Sequence, residues 1–131
     1  MGGSVYYEIH NALGANVPTP DLDHERRMMH SVIDLVDGGK VLSCHDISDG
    51  GLFACVAEMI LGGEANGAIG ASVDLSFSKL RVDKDLFSES SGFVVEVSEG
   101  DQKSFEALLG KAKVDFFSLG KTGGSGLNVV K

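Results

Sequence analysis

His45-Asp46-Ile47-Ser48-Asp49-Gly50-Gly51-Leu52 is the stretch whose reading organises the rest of the chain. The run before it, Lys40-Val41-Leu42-Ser43-Cys44, is short and apolar, as a buried strand would be. The run after it repeats apolar residues at helical spacing, with Leu52, Val56, Met59 and Ile60 on one face. A strand, a turn with two carboxylates and a glycine pair, and a helix start therefore follow one another directly. Backbone N–H groups at a helix N-terminus have no partners within the helix and favour anions. Two aspartates repel a bare phosphate, yet they accept one that arrives with a divalent cation, because hard cations take carboxylate oxygens. The turn reads as part of a metal-nucleotide or phosphate site. A plainer reading stays open beside it. Ser48 or Asp49 caps the helix, and the glycines only permit a tight turn.

Working outward, Val5 to Ile9 predicts a short helix or turn, followed by an irregular connector through Pro18 and Pro20. Asp21 is a candidate N-cap, with Leu22, Glu25, Met29, Val32, Ile33 and Val36 recurring at helical spacing up to Gly38-Gly39. The helix after the turn should stop at Gly62-Gly63. Ile69, Ala71, Val73 and Leu75 alternate within a half-buried strand over 68–75. Val82 to Leu86 suits a helical turn, and Phe93 to Val97 is the strongest strand signal. Asp101 is placed to cap a helix with Phe105, Leu108, Leu109 and Ala112 inward. Val114 to Leu119 and Leu127 to Val130 read as strands joined by a glycine-rich hairpin loop. This order predicts an α+β fold, a layered domain with helices packed on a mixed or antiparallel sheet.

The length, 131 residues, suits one domain with its own core. No apolar run approaches the ~20 residues of a membrane span, and Met1-Gly2-Gly3-Ser4 lacks the regions of a signal peptide. A cytoplasmic protein with no membrane partner is expected. The net charge of −8 argues against nucleic-acid binding, which needs clustered Lys and Arg. Cys44 and Cys55 have no metal-ligand spacing and read as small buried hydrophobes, which suits a reducing compartment.

Three further features carry chemistry less strongly. Gly120-Lys121-Thr122 lacks the glycine cradle of a phosphate loop and reads as a turn. His10, His24 and His30 have no i, i+4 partner and read as surface residues. His45 adjoins Asp46 at a strand end, where an active-site role and a structural contact both remain open. Ser88-Glu89-Ser90-Ser91 precedes the Phe93 strand. Its hydroxyls and amides suit a phosphate and Glu89 suits a cation, against the alternative of a solvated turn.

Together these segments resemble phosphoribosylformylglycinamidine synthase, in its small separate-subunit form. The likeness runs through Gly2-Gly3-Ser4-Val5-Tyr6-Tyr7, His45 to Leu52, Ala57-Glu58-Met59 with Gly62-Gly63, Leu86-Phe87-Ser88-Glu89-Ser90, Val94 to Val97, and Leu119 to Gly124, in that order. It spans nearly the whole chain. The fold implied is that of the C-terminal domain of aminoimidazole ribonucleotide synthetase. The whole of 1–131 would be that single domain, with 1–20 the connector from an N-type domain outside the chain. Met1 would then be an added start, and Lys131 would lie short of or near the natural end.

The resemblance implies an ATP-dependent amidation in de novo purine biosynthesis, a ligase reaction. Formylglycinamide ribonucleotide, ammonia and ATP give formylglycinamidine ribonucleotide, ADP and phosphate. The cofactors implied are ATP/ADP and Mg2+. The partners implied are the N-type domains of the same synthetase, a glutaminase subunit and a small accessory subunit. Carried onto this chain, Asp46 would bind the metal, and Ser48, Asp49, Gly50, Gly51, Glu89 and Ser90 would bind nucleotide or phosphate. No residue here is implied to be catalytic, and the chain alone is expected to be inactive. Ser48-Asp49-Gly50-Gly51 and Ser91 match the family's second half, whose pocket is auxiliary, better than its first, which has Gly-Ala-Ala-Gly and Gln there.

Two other readings stand beside this one. Hydrogenase-maturation, selenophosphate-synthetase and thiamine-phosphate-kinase types share the aspartate-glycine turn, although Gly-Gly-Ser-Val-Tyr-Tyr speaks against them. A non-catalytic binding or dimerisation module is the other; gene neighbourhood and the reading frame upstream of Gly2 discriminate.

Overall fold

The Asp21 carboxylate accepts hydrogen bonds from the Asp23 and His24 N–H groups, both at 3.1 Å, and so starts a long helix. The computed structural model describes residues 1–62 and 69–131. The expected helix stop at Gly63 and strand start at Ala68 lie outside the described residues. Helices are α1 (Val5–Ile9), α2 (Leu22–Asp37), α3 (Gly51–Gly62), α4 (Val82–Phe87) and α5 (Gln102–Ala112). Strands are β1 (Ser43–Asp46), β2 (Ala71–Asp74), β3 (Phe93–Glu96), β4 (Gly120–Thr122) and β5 (Leu127–Val130). This is the α+β class, with a mixed sheet.

The chain divides into two compact units. The first comprises Met1–Pro18, His45–Val94 and Leu119–Lys131, and the second Thr19–Cys44 and Val95–Ser118. β1 pairs with β3 in a two-stranded sheet. Within the second unit Leu42 N–H donates to the Glu96 carbonyl, and within the first Ile47 N–H donates to the Gly92 carbonyl.

In the first unit a three-stranded sheet has the order β4-β2-β5, with β4 antiparallel and β5 parallel to β2. Ala71 lies beside Leu127 and Val73 beside Val129, so the apolar sides of both strands share one face. Leu52 and Val56 of α3 pack there on Val73 and Leu75, with Ile47, Leu86 and Leu119 around them. The expected hairpin is corrected: β4 and β5 flank β2 instead of pairing. The glycine loop crosses the start of β2, where Gly70 N–H donates to the Gly124 carbonyl and Ala71 N–H to that of Gly126. A Cβ on Gly70 would lie 2.3 Å from the Gly126 carbonyl oxygen, so only glycine lets the loop pass. With β2 lying between them, β4 and β5 sit on opposite sides of it and make no ladder with each other. The strand expected over 114–119 is likewise corrected, since ladder pairing begins only at Gly120.

In the second unit, α2 and α5 enclose Leu35, Phe105, Leu109 and Val114, with Met28, Val41, Val95 and Val97 against them. The residues that recur at helical spacing along α2 are not its most buried line. Leu22, Met29, Ile33 and Val36 are exposed, and the covered line is Met28, Ser31 and Leu35. Two apolar stripes share this helix, and the position of α5 decides which is buried. The Asp101 side chain does not cap α5. It bonds Lys40 Nζ and Ser98 Oγ instead. The first strand also begins three residues later than expected and runs through His45-Asp46. Cys44 is exposed, a correction to its reading as a buried hydrophobe, because alternation along β1 turns it outward; Cys55 is buried.

Candidate functional site

The acidic turn hangs between two anchored ends. Asp46 closes β1, and the next residue, Ile47, donates its N–H to the Gly92 carbonyl while its side chain joins the core under α3. Ser48 and Gly51 close a tight turn, the Gly51 N–H donating to the Ser48 carbonyl at 3.0 Å. Gly50 and Gly51 have φ of +81° and +69°, a region that side-chain-bearing residues rarely enter. Gly51 has a second constraint. A Cβ there would lie 2.7 Å from the Leu86 carbonyl oxygen and 2.9 Å from Phe87 Cα. The glycine pair thus lets the start of α3 meet the end of α4 backbone to backbone.

Neither aspartate nor Ser48 is turned into the core. Asp46, Ser48 and Asp49 are exposed, and the Asp46 side chain keeps 63% of its surface. Among the described residues no three His, Cys, Asp or Glu side chains converge as a complete cation cage. The donors present are carboxylate and hydroxyl oxygens. That set fits magnesium, which takes one or two protein carboxylates and draws its other ligands from phosphate and water.

Glu89 is brought to the turn from the serine-rich segment. Its Oε1 accepts from the Gly50 N–H at 3.0 Å and from the Val5 N–H at 2.9 Å. Three motifs separated in sequence therefore meet at one oxygen. Aromatic packing repeats the convergence: Tyr6 stacks on Phe87 with ring centres 4.7 Å apart, and Phe53 lies 5.8 Å from Phe87. Ser90 is exposed beside them. A groove of about 140 Å³ in the same unit is lined by Tyr7, Asn16, Leu80, Lys84 and Ser88, and not by the acidic turn.

His45 is held from both sides of its ring. Nε2 lies 3.2 Å from Glu58 Oε2, and Nδ1 lies 2.8 Å from the Asp46 carbonyl oxygen and 3.6 Å from Asp46 Oδ1. Sequence reasoning left Glu58 out of the site. The available signal was its isolation, since Glu58 is the one charged residue in Gly51–Gly62. A charge on so apolar a helix needs a partner or water.

Comparison with known proteins matches the chain to one family. The family described as "AIR synthase related protein, C-terminal domain" matches residues 1–131. The chain is 44% identical over 110 residues, 82% of its length, to the phosphoribosylformylglycinamidine synthase subunit PurL of Methanothrix thermoacetophila. It is 38% identical over 129 residues, 95% of its length, to subunit PurL of Thermomicrobium roseum. With subunit PurL of Methanocaldococcus jannaschii it shares 37% identity over 133 residues, 98% of its length. The matched region is 14% of the first relative and 17% of each of the other two, so the chain spans a small part of the proteins it resembles. Among the described residues no helix is long and apolar enough to cross a membrane.

Proposed function

The chain belongs to the AIR synthase related protein family, as its C-terminal domain, and from that premise we propose that it forms one wall of a magnesium-nucleotide cleft in an ATP-dependent synthetase. The reaction proposed is the conversion of formylglycinamide ribonucleotide to formylglycinamidine ribonucleotide, a step of de novo purine biosynthesis in the cytoplasm. Similarity to three PurL subunits supports that choice over other users of an aspartate-glycine turn. The 131 residues act as one C-terminal domain, with 1–20 the connector from an N-type domain. The other partners are a glutaminase subunit and a small accessory subunit.

The observation that carries the reading is the outward display of Asp46, Ser48 and Asp49 on a turn whose backbone is pinned. Asp46 holds the metal, which when bound offsets the negative charge of phosphate oxygens. Ser48 and Asp49 line the same wall, with Glu89 and Ser90 beside it. Gly50 and Gly51 contribute by shape: both N–H groups are already engaged, by Glu89 and by the Ser48 carbonyl. ATP and ADP are the nucleotides, and the opposing wall comes from the N-type domain.

Calorimetric titration of the chain with Mg-ADP tests this. Asp46→Ala should weaken binding by about tenfold or more, as loss of a carboxylate ligand to a hard cation does. Equal affinity in parent and variant removes Asp46 as a ligand. The chain alone should not turn over formylglycinamide ribonucleotide with ATP and ammonia; turnover would show that no second wall is needed.

A further inference from the structure

We propose that Glu89 is a positioning residue, whose carboxylate clips the acidic turn to the start of α1 and thereby sets the shape of the wall. The clip stands on geometry; only its consequence for binding rests on the nucleotide-cleft reading above.

One oxygen, Glu89 Oε1, accepts from both Val5 N–H at 2.9 Å and Gly50 N–H at 3.0 Å. Val5 is the first residue of α1, and Gly50 immediately precedes α3, so neither amide has a partner within its helix. A carboxylate that takes two such donors makes charge-assisted bonds, which are stronger than neutral ones. The segment leading to Glu89 touches the same two regions. Leu86 and Phe87 crowd Gly51, and Phe87 stacks on Tyr6. Ser4, 2% exposed, caps α1 one residue before Val5, its Oγ accepting from the Tyr7 N–H. Both amides are thus presented by backbone that is itself fixed.

The consequence concerns which groups meet a ligand. The place an incoming phosphate oxygen would take at the Gly50 amide is filled by Glu89. The carboxylates directed outward are those of Asp46 and Asp49. Glu89 then acts through the turn without touching cation or phosphate.

Reach and charge can be separated. Glu89→Gln keeps an acceptor oxygen at full reach and loses the charge, whereas Glu89→Asp keeps the charge and loses one methylene of reach. Amide exchange at Val5 and Gly50, followed by NMR, should stay within about threefold of the parent in Glu89→Gln and rise about tenfold in Glu89→Asp and Glu89→Ala. Mg-ADP affinity should follow the same order. If Glu89→Gln loses Mg-ADP while both amides stay protected, the carboxylate is a ligand and the proposal falls. It also falls if Glu89→Asp leaves both amides as in the parent. If the parent binds no Mg-ADP yet the amides respond as expected, the clip stands and the cleft reading fails.

Discussion

His45 Nε2 lies 3.2 Å from Glu58 Oε2, so a carboxylate in the middle of α3 holds the imidazole that touches Asp46. The other ring nitrogen faces the Asp46 carbonyl oxygen at 2.8 Å. The ring therefore fixes the backbone of the residue proposed to hold magnesium. Glu58→Ala should weaken Mg-ADP binding by about tenfold, the scale on which outer-shell partners act, while leaving the fold intact. Glu58→Gln, which keeps an acceptor oxygen, should recover most of that loss. Calorimetry on both variants checks the relationship. Unchanged affinity in Glu58→Ala would reduce the contact to surface packing.

Gly51 is held by both its dihedral angle and its neighbours. Gly51→Ala should cost about 1–3 kcal/mol of stability, because the alanine must adopt φ near +69° with a carbonyl oxygen 2.7 Å from its methyl group. Gly39→Ala provides the comparison. Gly39 also has positive φ, at +66°, but a Cβ there meets nothing within 4 Å. Urea unfolding should show the smaller loss at Gly39, the difference measuring the crowding against α4.

The burial of α2 can be read by a pair of substitutions. Leu35 is 1% exposed, and Leu35→Ala should destabilise by about 2–5 kcal/mol. Ile33 is 52% exposed, and Ile33→Ser should change stability by only about 0.5 kcal/mol. Reversal of that order would mean that the other stripe of the helix is the covered one.

Acid should weaken the second unit through Asp101 and Asp21. The Lys40 ammonium, helped by the Ser98 hydroxyl, holds the Asp101 carboxyl below its ordinary 3.8. The His24 N–H does the same for Asp21, with the Asp23 N–H and nearby cationic groups adding to it. A carboxylate whose folded-state value is lowered stabilises the fold above its unfolded value. That contribution is lost as pH falls through the folded value. Stability should therefore hold from neutrality down to about pH 5 and decline below about pH 4. Asp101→Asn should flatten the decline, as followed by urea midpoints across that range. An unchanged slope would show that the Lys40 contact does not survive in solution.

Elements marked by short-range chemistry were legible in the chain. The start of α2 depends on Asp21 bonding amides two and three residues away, and its end on Gly38-Gly39. The bend after β1 depends on Gly50 and Gly51, whose angles follow from glycine itself. The strand at Phe93 is a run of β-formers without a competing period. The candidate site was legible only as a list of residues on one turn and one serine-rich segment, without the bonds that join them. Glu58 was missed because nothing near it in sequence says which residue it faces. The 114–119 run looked like a strand because its composition allows one, while a strand also needs a paired neighbour, and ladder pairing begins only at Gly120.

The amino-acid order alone determined the α+β class, the Asp21 cap of α2, the bend at Gly50-Gly51, the acidic balance and the family, because each depends on groups within a few bonds or on composition. Tertiary structure alone decided which stripe of α2 is covered, that β5 lies across β2 from β4, and that Glu89 reaches Gly50 from 39 positions away. Those outcomes turn on which distant surfaces meet. Local periodicity supplies several acceptable faces and edges, and only packing selects among them.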